Sequence, residues 1–213
     1  CAHSFLTRYL GKAIGTFGDA AIYSFRKMLP IPDGAGLVRK KPLVAAGPFN
    51  LNGHSGVSPI RVILKRLVKH EMVKMGVPMR VWERYSSRDR APRSTMEDGA
   101  PERSLPMSAI SRKIMHALEP TFKTIAETRR ENYLKLAGAF SKFPEATMWQ
   151  PELAQGVCPY LFPFLIPNRD QVLRALRNGG VHAQPWPELP SEVASDGKFK
   201  IAQYYADHLI GLP

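Results

Sequence analysis

The sequence predicts a mixed chain in which short apolar strands alternate with amphipathic helices, an α/β or α+β organisation. Three observations carry this. Residues 20–25, Ala-Ala-Ile-Tyr-Ser-Phe, form a compact apolar run suited to a buried strand. Between positions 58 and 75 the apolar residues Ile60, Ile63, Leu64, Leu67, Val68 and Met72 recur every three or four residues, the period of a helix. Residues 160–166, Tyr-Leu-Phe-Pro-Phe-Leu-Ile, return to a continuous apolar run of strand length.

The elements follow in order. After the strand at 20–25, residues 26–36 are dense in Pro and Gly and read as a loop, with Gly36-Leu37-Val38 opening a further strand. Ser58 is placed to cap the next helix, with Pro59 at its first turn. Residues 84–106 are polar, charged and broken by three prolines, and read as an exposed loop near the active-site mouth or a dimer surface. A helix resumes over 107–118, and Pro120 starts another on which Phe122, Ile125, Tyr133, Leu136 and Phe140 repeat at helical spacing. Pro163 would put the 160–166 strand at an edge or a bulge. Asn168 caps a helix that ends at Asn178-Gly179-Gly180, and residues 181–186 form a final short strand. There are no repeats.

Composition removes several classes of function. The 213 residues are 44% hydrophobic, enough for a sizeable core in one or two domains. No apolar stretch reaches the length of about 18 residues that spans a bilayer, so no membrane partner is expected. Cys1 and Cys158 make neither a disulfide framework nor a zinc spacing; no metal is expected, and the usage fits a reducing cytoplasm. The net charge is +12, and residues 58–113 carry 13 Lys/Arg against 6 Asp/Glu. A solvated helix face and loop accounts for that excess; a site for a phosphorylated or nucleotide-bearing substrate is the second reading. Nucleic-acid binding would need aromatic side chains among the basic ones, and only Trp82 and Tyr85 occur there, so no nucleic acid is expected. The start, Cys1-Ala2-His3-Ser4-Phe5, and the apolar end, His208-Leu209-Ile210-Gly211-Leu212-Pro213, both read as cut from a longer chain.

The chemistry concentrates in Ser24-Phe25-Arg26-Lys27, which leaves the buried strand for the Gly/Pro-rich loop. A lysine that forms an imine with an aldehyde must sit in a pocket at the end of a rigid element. A serine three residues earlier offers its hydroxyl to a phosphate, and Arg26 adds positive charge or points to solvent. By itself the spacing leaves open an ordinary lysine after a strand.

Context narrows this. The opening Cys1-Ala2-His3-Ser4-Phe5, then Gly15-Thr16-Phe17-Gly18-Asp19-Ala20-Ala21-Ile22-Tyr23-Ser24-Phe25, resembles the DegT/StrS family of pyridoxal-phosphate (PLP) dependent aminotransferases. The likeness continues at Met107-Ser108-Ala109-Ile110, through Glu127-Thr128-Arg129-Arg130-Glu131-Asn132-Tyr133, at Asn168-Arg169-Asp170-Gln171-Val172-Leu173 and over residues 206–213. Residues 40–106 have no counterpart and look like an insertion. The resemblance implies a fold-type I, aspartate aminotransferase-like fold in incomplete form. Residues 1–118 would end the large PLP-binding domain, and residues 119–213 would form a small α+β domain. It implies that Lys27 is the internal-aldimine lysine, that Ser24 serves the cofactor phosphate, and that His3 lies near the cofactor ring and its phenolic oxygen. It also implies a homodimer that moves an amino group from a small donor to a carbonyl on a sugar or similar substrate, nucleotide-linked as in most of the family.

Two departures stand out. One residue, Arg26, separates Phe25 from Lys27 where the family has three, and Asp33-Gly34-Ala35-Gly36 replaces a Gly-Glu-Gly-Gly loop. Dehydratase or lyase chemistry on the same cofactor is the alternative; a retained Lys27 favours transamination. The aspartate that pairs with the pyridine nitrogen would fall just before Cys1. The 213 residues alone are therefore expected to bind PLP weakly and to turn over nothing.

Overall fold

The computed structural model describes residues 1–41, 58–75, 106–186, 189–195 and 197–213. The loop read at 84–106, apart from Pro106, lies outside the described residues, as do Trp82 and Tyr85.

The first third is built from short antiparallel pairs. Strands β1 (Arg8–Tyr9) and β2 (Lys12–Ala13) form a small hairpin. Strand β3 (Ala20–Ser24) pairs with β4 (Ala35–Arg39) in the register Ala20↔Arg39 to Ser24↔Ala35. Alternation puts Tyr23, which is buried, on one side and Ile22 with its partner Leu37, both exposed, on the other. Between the two strands the chain does not run as loop throughout. Residues Phe25–Met28 close one helical turn, α1, in which the Leu29 amide donates to the Phe25 carbonyl at 2.8 Å before Pro30 stops it. Gly36 lies against this turn. A Cβ there would come within 2.5 Å of the Phe25 ring, so β4 can approach α1 only without a side chain at that position.

Helix α2 (Pro59–Lys74) starts at the expected place. Its outward apolar residues Ile60, Leu64, Leu67 and Val68 are exposed, so the helical period read in the sequence does not mark a core-facing stripe here. Helix α3 (Ala109–Leu118) is capped by Ser108, whose hydroxyl accepts from the Ser111 amide at 3.3 Å. This cap is tied to the loop after α1. The Ser108 amide donates to Asp33 Oδ1 at 3.0 Å, and the Asp33 amide donates to the fully buried Ser111 hydroxyl at 3.4 Å. Removing the buried Ser111 hydroxyl would take a partner from the half-buried Asp33 amide and Ser108 hydroxyl on either side. Ser111→Ala is therefore expected to cost about 1–3 kcal/mol of stability, read as a lower denaturant midpoint at unchanged slope.

The rest packs around one sheet. Helix α4 (Phe122–Phe140) follows a 3-10 turn at Glu119–Thr121. Strands β5 (Thr147–Met148), β6 (Phe162–Leu165), β7 (Gln184–Pro185) and β8 (Leu209–Leu212) form a four-stranded antiparallel sheet in the order β5-β6-β8-β7. Helix α5 (Arg169–Asn178) joins β6 to β7, and α6 (Ser191–Ser195) and α7 (Lys200–His208) lead into β8. Phe162 and Phe164 from β6, Ile210 and Leu212 from β8, Tyr133 from α4 and Leu173 from α5 make the core.

Three expectations are corrected in this sheet. Strand β6 is interior, not an edge. Pro163 is tolerated because a strand residue aims its N–H and C=O to the same side, and its carbonyl accepts from Trp149 on the β5 side. The missing N–H therefore faces past the end of the two-residue β5. The stretch 181–186 pairs only at Gln184–Pro185 and is not the last strand, since the central strand β8 follows. Asn168 does precede α5, but with a left-handed backbone (φ +56°) and no side-chain cap; its carbonyl takes the Gln171 and Val172 amides instead.

Candidate active site around Lys27 and His3

Lys27 is half-buried and central to α1, one turn past β3. Its ammonium nitrogen lies 2.7 Å from Nε2 of His3, twenty-four residues earlier. Several contacts explain why the N-terminal segment runs here. Thr7 is buried and stitched to the backbone of Cys158: its hydroxyl donates to the Cys158 carbonyl at 3.2 Å and accepts from the Cys158 amide at 3.1 Å. The Phe5 ring sits edge-on to Tyr23, Phe25 and Phe122 at 4.8–5.7 Å, joining the segment to β3, α1 and α4 at once. His3, two residues away, is thereby held with its ring stacked on Tyr160 (4.7 Å, 23°) and edge-on to Trp186 (5.4 Å).

Lys27 faces a cavity of about 420 Å³, a volume within the range of small-molecule sites. One wall is a face of α4, with Arg129, Asn132, Tyr133 and Leu136 at helical spacing; the opposite wall is the stretch from Pro159 to Phe162. His182 and Gln184 close one side, and Lys69 of α2 reaches His182 there. Lys27 is the lysine in this lining among the described residues.

The structure brings Lys27 and His3 together; of the four candidates only Lys27 lines the cavity. Ser24 ends β3, half-buried, with no capping hydrogen bond to α1. Arg26 is exposed, and its charge, after burial, helps hold the Arg66 guanidinium below its ordinary pKa. Tyr160 and Arg129 were not singled out in the sequence. Tyr160 falls inside a run read as strand, while Arg129 shares a helical face with Tyr133 and Leu136, a spacing that would have pointed to it.

Burial is the main influence on His3, followed by the Lys27 charge and the N-terminal ammonium; all three hold its imidazole below the ordinary 6.5. The neutral ring is favoured, with Nε2 free to accept from Lys27 and the proton on Nδ1. A histidine with a lowered folded-state pKa contributes stability that is present above 6.5 and lost as pH falls through the lowered value. Acidification from pH 7.5 to below 6.5 is thus expected to weaken the Lys27–His3 contact progressively, and His3→Gln to flatten that dependence. Lys27 labelling by an amine reagent, followed across the same pH range in both proteins, checks this.

These residues fit the aldehyde end of PLP: a primary amine at a cavity wall, a neutral acceptor beside it and an aromatic surface adjoining. The fold decides what the site is compared with. The chain superimposes over its full length on PseC from Helicobacter pylori, an aminotransferase of pseudoaminic acid biosynthesis, with TM-score 0.60 and 15% identity over 52% of that chain. This is the fold of the sugar aminotransferases. The putative sugar aminotransferase Spr1654 from Streptococcus pneumoniae, in its PMP form, matches with TM-score 0.59 and 12% identity, 100% of this chain covering 50% of that one. A DegT DnrJ EryC1 StrS aminotransferase from Brucella abortus matches with TM-score 0.55 and 12% identity, again 100% against 50%. The chain therefore spans about half the length of these sugar aminotransferases. No family model matches the sequence, and no curated protein matches it. The incomplete fold expected from the DegT/StrS resemblance is the fold found.

Proposed function

We propose that this chain carries the cofactor lysine of a PLP-dependent sugar aminotransferase, and that Lys27 is that lysine. The observation that supports it most is the 2.7 Å contact between Lys27 Nζ and a His3 ring kept neutral, at the wall of the cavity. PLP, when bound, supplies an aldehyde for the lysine and a ring that draws electrons away from a substrate carbon. The chain's own residues do the rest. His3 Nε2 accepts a hydrogen bond from Lys27 and holds its nitrogen in place; once its proton has passed to solvent, the free amine is able to attack a carbonyl. Once displaced by the amino donor, the same amine is placed to lift a proton from the donor's Cα and to return one to the acceptor. Tyr160, stacked on His3, fixes the plane of the imidazole and covers it from water.

The substrates we assign are a small amino donor and a nucleotide-linked sugar bearing a carbonyl. The basic charge of α2, with Lys69 reaching the cavity side at His182, supports an anionic acceptor. Ser24 and Arg26 are assigned to the cofactor phosphate, and the working enzyme to a cytoplasmic homodimer.

The test is direct. Pyridoxal 5′-phosphate added to the chain in excess should give a visible-absorbing species that borohydride bleaches. Absorbance that stays equal to free cofactor plus a small amine such as butylamine would count against the assignment.

A further inference from the structure

Helix α4 presents two adjacent arginines to the same loop, and they do different work. Arg130 donates to the carbonyls of Ala154 (2.8 Å) and Val157 (2.7 Å), with a longer bond to Leu153 at 3.5 Å. Its three partners lie within one stretch of the loop. Arg129 donates from Nη1 to the carbonyls of Pro159 (3.2 Å) and Tyr160 (3.3 Å), and from Nη2 to the carbonyl of Met28 at 3.5 Å. Its partners therefore lie on two elements far apart in sequence: the loop that carries Tyr160, and the helical turn that carries Lys27.

We infer that Arg129 is the positioning residue that sets Lys27 against the His3–Tyr160 stack. Met28 follows Lys27 directly, and its carbonyl ends the same turn. Tyr160 is the surface on which His3 stacks, and His3 is the partner of the Lys27 amine. A single planar guanidinium thus holds both ends of the Lys27–His3–Tyr160 chain, with its donors pointing in fixed directions. Nothing in this arrangement requires Arg129 to touch the reacting atoms; it acts through α1 and the loop. Arg130 is the natural control. It ties the same loop to the same helix, near Gly156, whose φ of +81° and close approach to the Arg8 carbonyl already constrain that stretch. It makes no bond to α1 among the described residues.

This inference rests on the assignment of Lys27 as the cofactor lysine, but one arm of its test does not. Arg129→Met, Arg129→Lys and Arg130→Met are compared with the unaltered chain, melting followed by circular dichroism. In the first arm each protein is labelled with trace acetic anhydride, and Lys27 acetylation is measured by peptide mass against the other lysines. In the second, each is incubated with pyridoxal 5′-phosphate, reduced, and the adduct at Lys27 quantified. Arg129→Met is expected to change Lys27 acetylation by about threefold or more and to cut the adduct by about tenfold, as misplacement of a reacting group does. Arg130→Met is expected to lose comparable melting temperature while leaving both readouts within about twofold. Arg129→Lys keeps the charge without the fork and should behave as Arg129→Met does, which also serves if the methionine variant fails to fold. Unchanged Lys27 acetylation in both Arg129 variants, or an equal change in Arg130→Met, overturns the role. If the unaltered chain forms no adduct at all, the cofactor assignment falls, and the acetylation arm alone decides on Arg129.

Discussion

Lys27→Ala is expected to reduce the borohydride-trapped adduct with pyridoxal 5′-phosphate by about two orders of magnitude, the scale on which a positioned amine outperforms a solvated one. The reason is geometric. Lys27 is the lysine that lines the cavity among the described residues, and a neutral His3 imidazole 2.7 Å away accepts from it and holds it in place. Surface lysines also condense with the cofactor, so the residual signal measures that background. The substitution should leave the fold intact, because Lys27 is half-buried on a one-turn helix held by Met28, Leu29 and Ile31, all buried behind it. Its effect on stability should stay within about 0.5 kcal/mol, the usual range for a change outside the core. Loss of adduct with an unshifted melting curve separates chemistry from unfolding. An adduct undiminished in Lys27→Ala would remove the assignment.

Phe162→Ala should give the largest loss of stability, about 3–5 kcal/mol, the range for emptying an aromatic from a close-packed core. Phe162 is 2% exposed and lies in β6 between the rings of Tyr133 and Phe140, at 4.9 and 5.0 Å. Its removal takes away contacts to α4 and to the neighbouring β8 at once, and neither element can collapse into the space without breaking the register Phe162↔Leu212. The consequence reaches the site, since Phe162 and Tyr133 also line the cavity that Lys27 faces. Urea unfolding should show a lower midpoint at an unchanged slope. A loss below about 1 kcal/mol would mean that this sheet is not the core the chain relies on.

Much of this arrangement was legible in the residues because it depends on local chemistry. Strand β3 and helices α2 and α3 each carry their signal within a few positions, an apolar run or a 3.6 period, although the Ser108 cap of α3 was not read and the helix starts two residues later than expected. That Lys27 and His3 belong to one site was reached through a resemblance, not through spacing, since twenty-four residues and four elements separate them; their direct contact was not read. What stayed hidden depends on partners distant in sequence. Strand β8 is four residues long and contains Gly211, too short for alternation to show, yet it is the strand on which β6 and β7 both pair. Pro163 suggested an edge because a lone residue cannot reveal that its neighbour β5 stops one residue short. Arg129 offered only its helical spacing with Tyr133 and Leu136, because its partners are main-chain carbonyls of Met28, Pro159 and Tyr160, and carbonyls leave no mark on a sequence.

The central claim is that one lysine of this chain is the cofactor lysine, and its location can be measured without any turnover. The chain is incubated with pyridoxal 5′-phosphate at a concentration where modification is partial, reduced with borohydride and digested, and the pyridoxyl group is assigned to peptides by mass spectrometry. Weak binding is compatible with this measurement, because it reads selectivity and not affinity. The peptide holding Lys27 is expected to carry most of the label at low cofactor, and His3→Gln to lower its share. Label spread evenly over the lysines, or concentrated on one remote from the His3–Tyr160 stack, would contradict it.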